Sequence, residues 1–291
     1  MQHIEFIDID HFENHYHRIP PPEPLSHFIE FFWETRFDEL WNQYPTGFSD
    51  AQFANIGYTY ILNLGTPFVM QISKKQFTMK TDGFLPRYNP IECHHQPGNH
   101  MFGIKFRISP VILEKKVDFS EYQDYIFPLS YLMDAAVLQD VKEADSFEER
   151  IAILTTYYTR LLDQHQGPMH PVHLVSDILE QAFQTNQFNT PIEQLAAGKG
   201  ISSRTLQRYF ETCTGISSKQ ALQIMRIRKA TALLANSPGN FDHEQFGYYD
   251  HSHFYKHLRQ FLENNTLAKH QQPHLELLKK WKQSSEIAVN G

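Results

Sequence analysis

The chain has 291 residues, of which 41% are hydrophobic, so it can bury a core and is longer than a single domain usually is. Its two cysteines lie far apart and no apolar stretch approaches the roughly 20 residues that span a bilayer, so we expect neither a disulfide framework nor an integral membrane protein. The net charge of −7 is uneven: residues 187–283 hold 13 basic and 7 acidic side chains, but residues 1–186 hold 13 and 25, which indicates a polyanion-binding module joined to an acidic domain.

The first part of the chain predicts a β-rich unit. The segment Ile19–Pro24 is rich in proline and cannot be helical, so it indicates an extended arm leading into the first domain. Four runs of β-branched, aromatic and aliphatic residues follow, separated by turn signals that contain Gly, Pro and Asp: Tyr58–Leu64, Phe68–Ile72, Gly83–Tyr88 and His100–Phe106. This pattern predicts a compact sandwich or barrel.

Helical periodicity replaces this pattern after residue 110. Val111–Lys116 predicts a short helix, and Ser146 with Glu149 forms a capping box ahead of a longer one. The sequence His165–Pro168 indicates a linker, and nearly everything from residue 172 onward predicts helices joined by short turns.

Two helix-turn-helix layouts follow each other in this helical part. In the first, Thr190 is the predicted N-cap of a helix that starts with Pro191, and Ser202 caps a second helix over Ser203–Thr212. A long helix over Lys219–Ala235 leads to the second unit, whose helices are predicted at Phe241–Phe246 and, capped by Asp250, up to Arg259. A further amphipathic helix is predicted at Pro273–Lys282.

These elements predict an α+β protein. We predict that residues 1–167 form a β-rich, sandwich- or barrel-like domain with trailing helices, which the family resemblance given next implies is a sensor domain. Residues 168–272 form an all-α domain with two helix-turn-helix units, and residues 273–291 form an extra helix and a polar tail.

The C-terminal motifs resemble a known family. They are Leu195-Ala196, Ile201-Ser202, Leu206–Phe210, Thr214-Gly215, Arg226–Leu234 and Gly247–Phe254. In this order, over about residues 172–272, they resemble the AraC/XylS family of bacterial transcription regulators. The resemblance implies sequence-specific binding to operator DNA, regulation through the N-terminal domain, and no covalent chemistry or cofactor.

The same resemblance implies the protein's partners. It implies a homodimer on double-stranded DNA, a small-molecule effector of unstated identity, and RNA polymerase as a further partner. Because the start of the sequence lacks a basic segment followed by an apolar run, we expect a cytoplasmic protein without membrane attachment.

Two departures from the family pattern concern the second unit. Asp242-His243 stands where members usually have Ile-Ala, and Glu263–Leu267 stands where they have a Gly followed by Thr-Pro or Ser-Pro. A weakened second unit is therefore an open interpretation.

The first unit offers base-reading side chains. Arg204, Gln207 and Arg208 lie at i, i+3 and i+4, which places them on one helix face, and Arg and Gln can pair with guanine and adenine edges. The resemblance implies base reading by Arg204 and Gln207, and base reading or phosphate binding by Arg208. Replacing Arg204 and Gln207 together is expected to lower discrimination more than total binding.

The second unit and the flanks offer further candidates. By resemblance, Ser252 and His253 approach bases and Lys256 approaches a base or a phosphate, although packing or capping also explains His253. The candidates for contacts to the DNA backbone are Ser202, Ser203, Lys219, Arg228, Lys229, His251 and Arg259. Arg226 is a further candidate for neutralising a phosphate or, because its helix is rich in apolar residues, for an internal ion pair.

Two other functions remain open. His15, His17, His94, His95 and His100 could gather on a β scaffold as in a metal-dependent cupin-like enzyme, but their spacing does not match the cupin pattern, so we expect no metal site. A protein-interaction adaptor with a degenerate DNA module is the other alternative. The aromatic residues of the first domain predict core packing more than a ligand pocket: Phe31, Phe32, Trp33, Tyr58, Tyr60, Tyr88 and Phe102.

Overall fold

The computed structural model describes residues 9–23, 25–114 and 124–261. Its N-terminal part contains ten strands in two antiparallel sheets. The strands are β1 (Tyr16–Ile19), β2 (Ile29–Arg36), β3 (Ser49–Gln52), β4 (Tyr58–Asn63), β5 (Phe68–Ile72), β6 (Lys75–Met79), β7 (Gly83–Pro86), β8 (Ile91–His94), β9 (His100–Phe106) and β10 (Phe127–Pro128). The larger sheet has the order β1-β2-β9-β4-β7-β10, and the smaller one has the order β3-β8-β5-β6.

The larger sheet is buried on both faces. Phe31 and Trp33 on β2 and Ile61 on β4 pack in a core with Phe68, Met70 and Ile72 of the smaller sheet. The alternating residues, such as Phe32 and Tyr60, belong to a second core that contains helical residues. Because successive side chains of a strand point to opposite faces, two covered faces require the nearly continuous apolar runs seen in the sequence.

The predicted fold class is confirmed, as are the four predicted strand positions. The aromatic residues of the first domain are buried, which confirms core packing for them, and Phe31 also lines a cavity described below. The other six strands were missed, among them β2, the longest described strand, and a helix precedes the proline-rich arm.

Ten helices occupy the rest of the described chain. They are α1 (Ile9–Asn14), α2 (Asp38–Gln43), α3 (Val111–Glu114), α4 (Ala135–Glu143), α5 (Phe147–Gln164), α6 (His170–Thr185), α7 (Ile192–Gly198), α8 (Ser203–Thr214), α9 (Ser218–Asn236) and α10 (His251–Phe261). No helix among the described residues is long and apolar enough to cross a membrane. The predicted helix Pro273–Lys282 and the segment 273–291 lie outside the described residues.

The linker predicted near residue 167 lies between α5, which ends at Gln164, and α6, which begins at His170. The domain boundaries themselves stay a prediction. Each part contains one buried free cysteine, Cys93 on β8 and Cys213 on α8.

A buried ionic cluster joins α5 to the larger sheet. The Glu34 carboxylate on β2 lies 2.8 Å from Nε2 of His100 on β9 and 3.2 Å from Nη1 of Arg150 on α5. Arg150 also donates through Nη2 to the Ala144 carbonyl at 2.7 Å. Burial alone would raise the pKa of Glu34, but the hydrogen bond from His100 and the charge of Arg150 outweigh it and lower that pKa.

Side-chain caps define several helix starts. Ser146 and Ser202 accept from the amides of Glu149 and Thr205, both at 3.1 Å, as predicted. The prediction for α7 was wrong by one residue: Pro191 is the N-cap, and the Thr190 hydroxyl donates to the Gln187 carbonyl instead.

The first helix of the second unit was also predicted wrongly. A single 3-10 turn, Glu244–Phe246, replaces the expected helix Phe241–Phe246. The Asp242 carboxylate accepts from the Glu244 amide at 2.9 Å, so a local side-chain contact takes an amide at the start of this turn.

Candidate nucleic-acid interface

The first helix-turn-helix unit consists of α7, a turn through Gly200, and α8. Leu206 and Phe210 point into the core, whereas Arg204 and Arg208 are exposed on α8. The Ser202 cap fixes the start of α8, where the positive end of the helix dipole also favours a phosphate. Arg204 and Arg208 therefore extend from a rigid helix into solvent.

Gln207 has a different environment from its two neighbours. Its Nε2 donates to the Glu211 carboxylate at 2.6 Å, and its Oε1 accepts from the Ser218 hydroxyl at 3.0 Å. Gln207 thus braces α8 against the start of α9. Its base-reading role stays a prediction, and a variant at this position would disturb the brace as well.

The second unit consists of the 3-10 turn, Gly247 at φ +71°, and α10. Ser252, His253 and Lys256 are exposed on α10. The His253 amide donates to the Asp250 carboxylate at 2.7 Å, which confirms the predicted cap, while its ring lies edge-on to Tyr248 at 5.3 Å. The second unit therefore also presents an exposed polar face, despite its shortened first helix.

Arg226 on α9 secures the turn of the second unit. It donates from Nε to the Phe246 carbonyl at 2.7 Å and from Nη2 to the Gly247 carbonyl. Its guanidinium lies 3.6 Å from the centre of the Tyr248 ring, whose hydroxyl is 2.7 Å from Nδ1 of His257. Arg226 therefore does have internal partners, but they are two backbone carbonyls and an aromatic ring instead of the predicted carboxylate.

The candidates for DNA-backbone contacts fall into two groups. Lys219 and Arg259 are exposed, Ser202 and Ser203 lie at the start of α8, and His251 is half-buried at the start of α10. Burial lowers the pKa of His251, and the ring of His243, with its centroid 4.3 Å away, lowers it further.

Arg228 and Lys229 form the second group, on the protein-facing side of α9. Arg228 is buried and donates to the Phe53 and Ala54 carbonyls, each at 3.3 Å. Lys229 donates to the Phe183 carbonyl, and its Nζ lies 4.5 Å from the centre of the Phe183 ring. Their phosphate contacts stay a prediction, and in this conformation both side chains bind protein.

A cavity of about 770 Å³ lies between the β-rich part and helices α6 and α9. Its apolar wall includes Phe31, Ile56, Leu179, Phe183, Met225 and Leu233. Arg107, Arg228 and Lys229 line it together with Glu30 and Glu180, which leaves one net positive charge. Sequence reasoning missed this cavity, because its walls come from separate segments spread between residues 30 and 246.

Four of the five histidines considered as metal ligands, all except His17, lie within 4 Å of separate carboxylates. His15 lies 2.8 Å from Glu39 and His95 lies 3.2 Å from Asp50, while His100 belongs to the Glu34 cluster. Among the described residues, no group of three or more His, Cys, Asp or Glu side chains is arranged to hold a metal ion.

Comparison with known proteins identifies the helical part. Residues 195–265 match the family described as "Helix-turn-helix domain". No curated protein matches the sequence. Among solved structures, ToxT from Vibrio cholerae shares 10% identity over 78% of this chain and 91% of its own, with a TM-score of 0.42. The AraC-like transcriptional activator CuxR shares 11% identity over 84% and 99%, with a TM-score of 0.27.

The matched residues begin within α7 and contain α8 with its exposed arginines, α9, and α10 with its exposed Ser252, His253 and Lys256. The resemblance seen in the sequence motifs is thereby confirmed for this part of the chain. Residues 195–265 are a helix-turn-helix domain.

Proposed function

We propose that this protein is a transcription regulator that binds DNA sequence-specifically through both helix-turn-helix units and is regulated through its N-terminal domain. The observation that carries the proposal is the pair of capped helices α8 and α10, each with an exposed polar face, which precede and follow α9 in the chain. The 19 residues of α9 span about 28 Å, close to the roughly 34 Å of one DNA turn, which suits two successive major-groove segments.

Within this proposal, Arg204 and Arg208 read bases from α8, and Ser252, His253 and Lys256 do so from α10. Gln207 contributes to the same face only if it releases Glu211. The side chains assigned to phosphates are Ser202, Ser203, Lys219, His251 and Arg259, and Arg228 and Lys229 would join them after a domain rearrangement. The protein acts as a cytoplasmic homodimer, contacts RNA polymerase, and carries out no covalent chemistry.

Selection of genomic DNA fragments by the purified full chain tests this function. It is performed at about 50 mM and 200 mM salt, since phosphate contacts weaken steeply with salt and base contacts supply the discrimination that remains. We expect a motif with two half-sites about one helical turn apart. Motif-free binding that disappears at the higher salt would contradict the proposal and favour the adaptor with a degenerate module.

The Arg204→Ala variant should weaken binding to the selected operator by about 1–3 kcal/mol while changing binding to random DNA little, because a bidentate base contact is lost. The matched control is Lys219→Ala, an exposed cation outside the reading face. The Lys219→Ala variant should lose a similar amount of affinity for both DNAs, and its affinity should depend less steeply on salt. Titration by fluorescence anisotropy measures both variants, and equal losses on both DNAs for Arg204→Ala would refute base reading by this residue.

We propose further that the cavity between the two parts binds the effector, and that the effector is an amphipathic acid. The apolar wall suits a hydrocarbon chain, and the net positive charge of the lining suits a carboxylate.

Homodimer formation is measured separately by light scattering with and without operator DNA.

Palmitoleate should therefore raise the Tm of the full chain by roughly 5 °C at about 100 times its Kd, since a ligand that binds only the folded state stabilises that state. Its methyl ester, which lacks the charge, should produce a much smaller shift. Arg107→Gln, which removes one cation from the lining, should reduce the shift with the acid and leave that with the ester unchanged. Equal shifts for acid and ester would rule out the carboxylate site.

A further inference from the structure

The C-terminal end of α8 lies against the N-terminal domain. The last carbonyls of an α-helix have no partners within the helix, and they need donors from elsewhere. The Gly215 amide donates a hydrogen bond to the Glu211 carbonyl, at 2.9 Å. The next donors come from far away in the sequence: the Ser109 amide donates to the Cys213 carbonyl at 2.6 Å, and the Tyr88 hydroxyl donates to the Thr214 carbonyl.

Tyr88 is part of a buried tyrosine pair. Its ring lies edge-on to that of Tyr58, with 6.0 Å between the centroids, and the two hydroxyls interact. Burial raises the pKa of Tyr88 well above its usual value, and Tyr58 raises it further. The Tyr88 hydroxyl therefore stays protonated and remains a hydrogen-bond donor at physiological pH.

The chain at the end of α8 is shaped to receive this pair. Gly215 ends the helix at φ +75°, a conformation that glycine adopts without a Cβ penalty. A Cβ at this position would lie 2.5 Å from the Tyr88 hydroxyl and 2.9 Å from that of Tyr58. Glycine is therefore required here both for the backbone conformation and for the close approach of the two tyrosines.

We propose that the N-terminal domain supplies the C-terminal cap of α8, and that Tyr88, supported by Tyr58, is a positioning residue for DNA reading by the first unit. This inference rests on the proposed function. The Tyr88 hydroxyl acts through the Thr214 carbonyl, at the opposite end of α8 from the exposed Arg204. The N-terminal domain is therefore part of the frame that orients the reading helix.

The same contact connects α8 to the cavity. Ile56, which lines the cavity, lies two positions before Tyr58, and Arg107, which also lines it, lies two positions before Ser109. Arg228 binds the carbonyls of Phe53 and Ala54 at the start of the first of these segments. An occupant of the cavity thus lies against the two segments that hold the end of α8.

The Tyr88→Phe variant of the full chain tests the cap, because it removes the hydroxyl and keeps the ring. Hydrogen exchange without DNA should become about fivefold to tenfold faster at the amides of the last turn of α8, and it should be unchanged in α10. The matched control is Tyr131→Phe, whose side chain is 57% exposed and lies in the same domain. Unchanged exchange in α8 would overturn the cap.

A second measurement separates positioning from stability alone. On the operator recovered by selection, Tyr88→Phe should weaken binding about fivefold to tenfold. The weakening should vanish when the half-site of the first unit is scrambled and persist when the other is scrambled. An equal loss on both scrambled operators, or tighter binding than the wild type, would overturn the positioning role. If the wild type binds no DNA, the proposed function fails, and the exchange result alone decides the cap.

A glycine pair keeps the test decisive if Tyr88→Phe folds poorly. Gly200 and Gly215 both have positive φ, +69° and +75°, but no atom lies within 4 Å of a Cβ at Gly200. Gly215→Ala should therefore accelerate exchange in the last turn of α8 at least fivefold more than Gly200→Ala does. Equal effects would show that the tyrosine contact does not hold the helix end.

Discussion

Replacement of Glu34 by alanine should lower the free energy of unfolding by about 3–5 kcal/mol. Glu34 is 8% exposed and accepts hydrogen bonds from His100 and Arg150. Without the carboxylate, the Arg150 guanidinium loses its counter-charge in a buried site. Leaving a buried cation without its partner lowers the free energy of unfolding by far more than the intact ion pair raises it.

Chemical denaturation measures this loss, and Glu39→Ala is the matched control. Glu39 also pairs with a histidine, His15 at 2.8 Å, but its side chain is 61% exposed. The control should change the stability by less than about 1 kcal/mol, because solvent screens an exposed pair. Similar losses for the two variants would show that burial does not set the strength of the Glu34 cluster.

The same cluster gives the stability a pH dependence. Because the pKa of Glu34 is lower in the folded state than in the unfolded state, its stabilisation is fully present above the unfolded-state pKa. It is lost as the pH falls through the folded-state pKa. The Glu34→Gln variant should therefore lose less stability than the wild type on acidification.

Replacement of Arg226 by alanine should cost about 3 kcal/mol and should impair the second helix-turn-helix unit most. The variant loses two hydrogen bonds from a charged donor to the carbonyls of Phe246 and Gly247, and it uncovers one face of the Tyr248 ring. The turn before α10 would then lose its attachment to α9. Operator binding should fail at the half-site of the second unit.

Hydrogen exchange and operator binding measure this effect, with Arg259→Ala as the control. Arg259 has the same side chain on α10, but it is exposed. It should affect DNA affinity through one phosphate contact and leave stability within about 0.5 kcal/mol. Arg226→Lys keeps the charge but not the planar fork, so it should recover only part of the loss. Uniform weakening at both half-sites by Arg226→Ala would contradict the assignment to the second unit.

Local signals account for what the sequence predicted correctly. Ser202 and Asp250 cap helices within three residues of themselves, and this is visible in the sequence as a residue type at a fixed offset. The strand β4 was predicted because turn residues bound a dense apolar run. The exposed positions on α8 follow from helical periodicity in the same way.

Long-range contacts account for what could not be predicted. Arg228 is a cationic side chain on a helix of the basic C-terminal part, which suggested a phosphate contact. Its partners, the carbonyls of Phe53 and Ala54, lie more than 170 positions away in the sequence. The Tyr88 contact to Thr214 spans 126 positions. Both depend on how the two parts dock, and residue type and spacing within one segment carry no information about that.

The buried thiol of Cys213 gives the end of α8 a chemical property of its own. Burial raises the pKa of this thiol to about 12, so near pH 8 almost all molecules carry the unreactive thiol and not the thiolate. Alkylating and oxidising reagents should therefore modify Cys213 only in molecules in which local opening has exposed this buried thiol. Cys93 is buried in the β-rich part. The labelling rates of Cys93 and Cys213 would therefore report separately on the opening of the β-rich part and of the helical part.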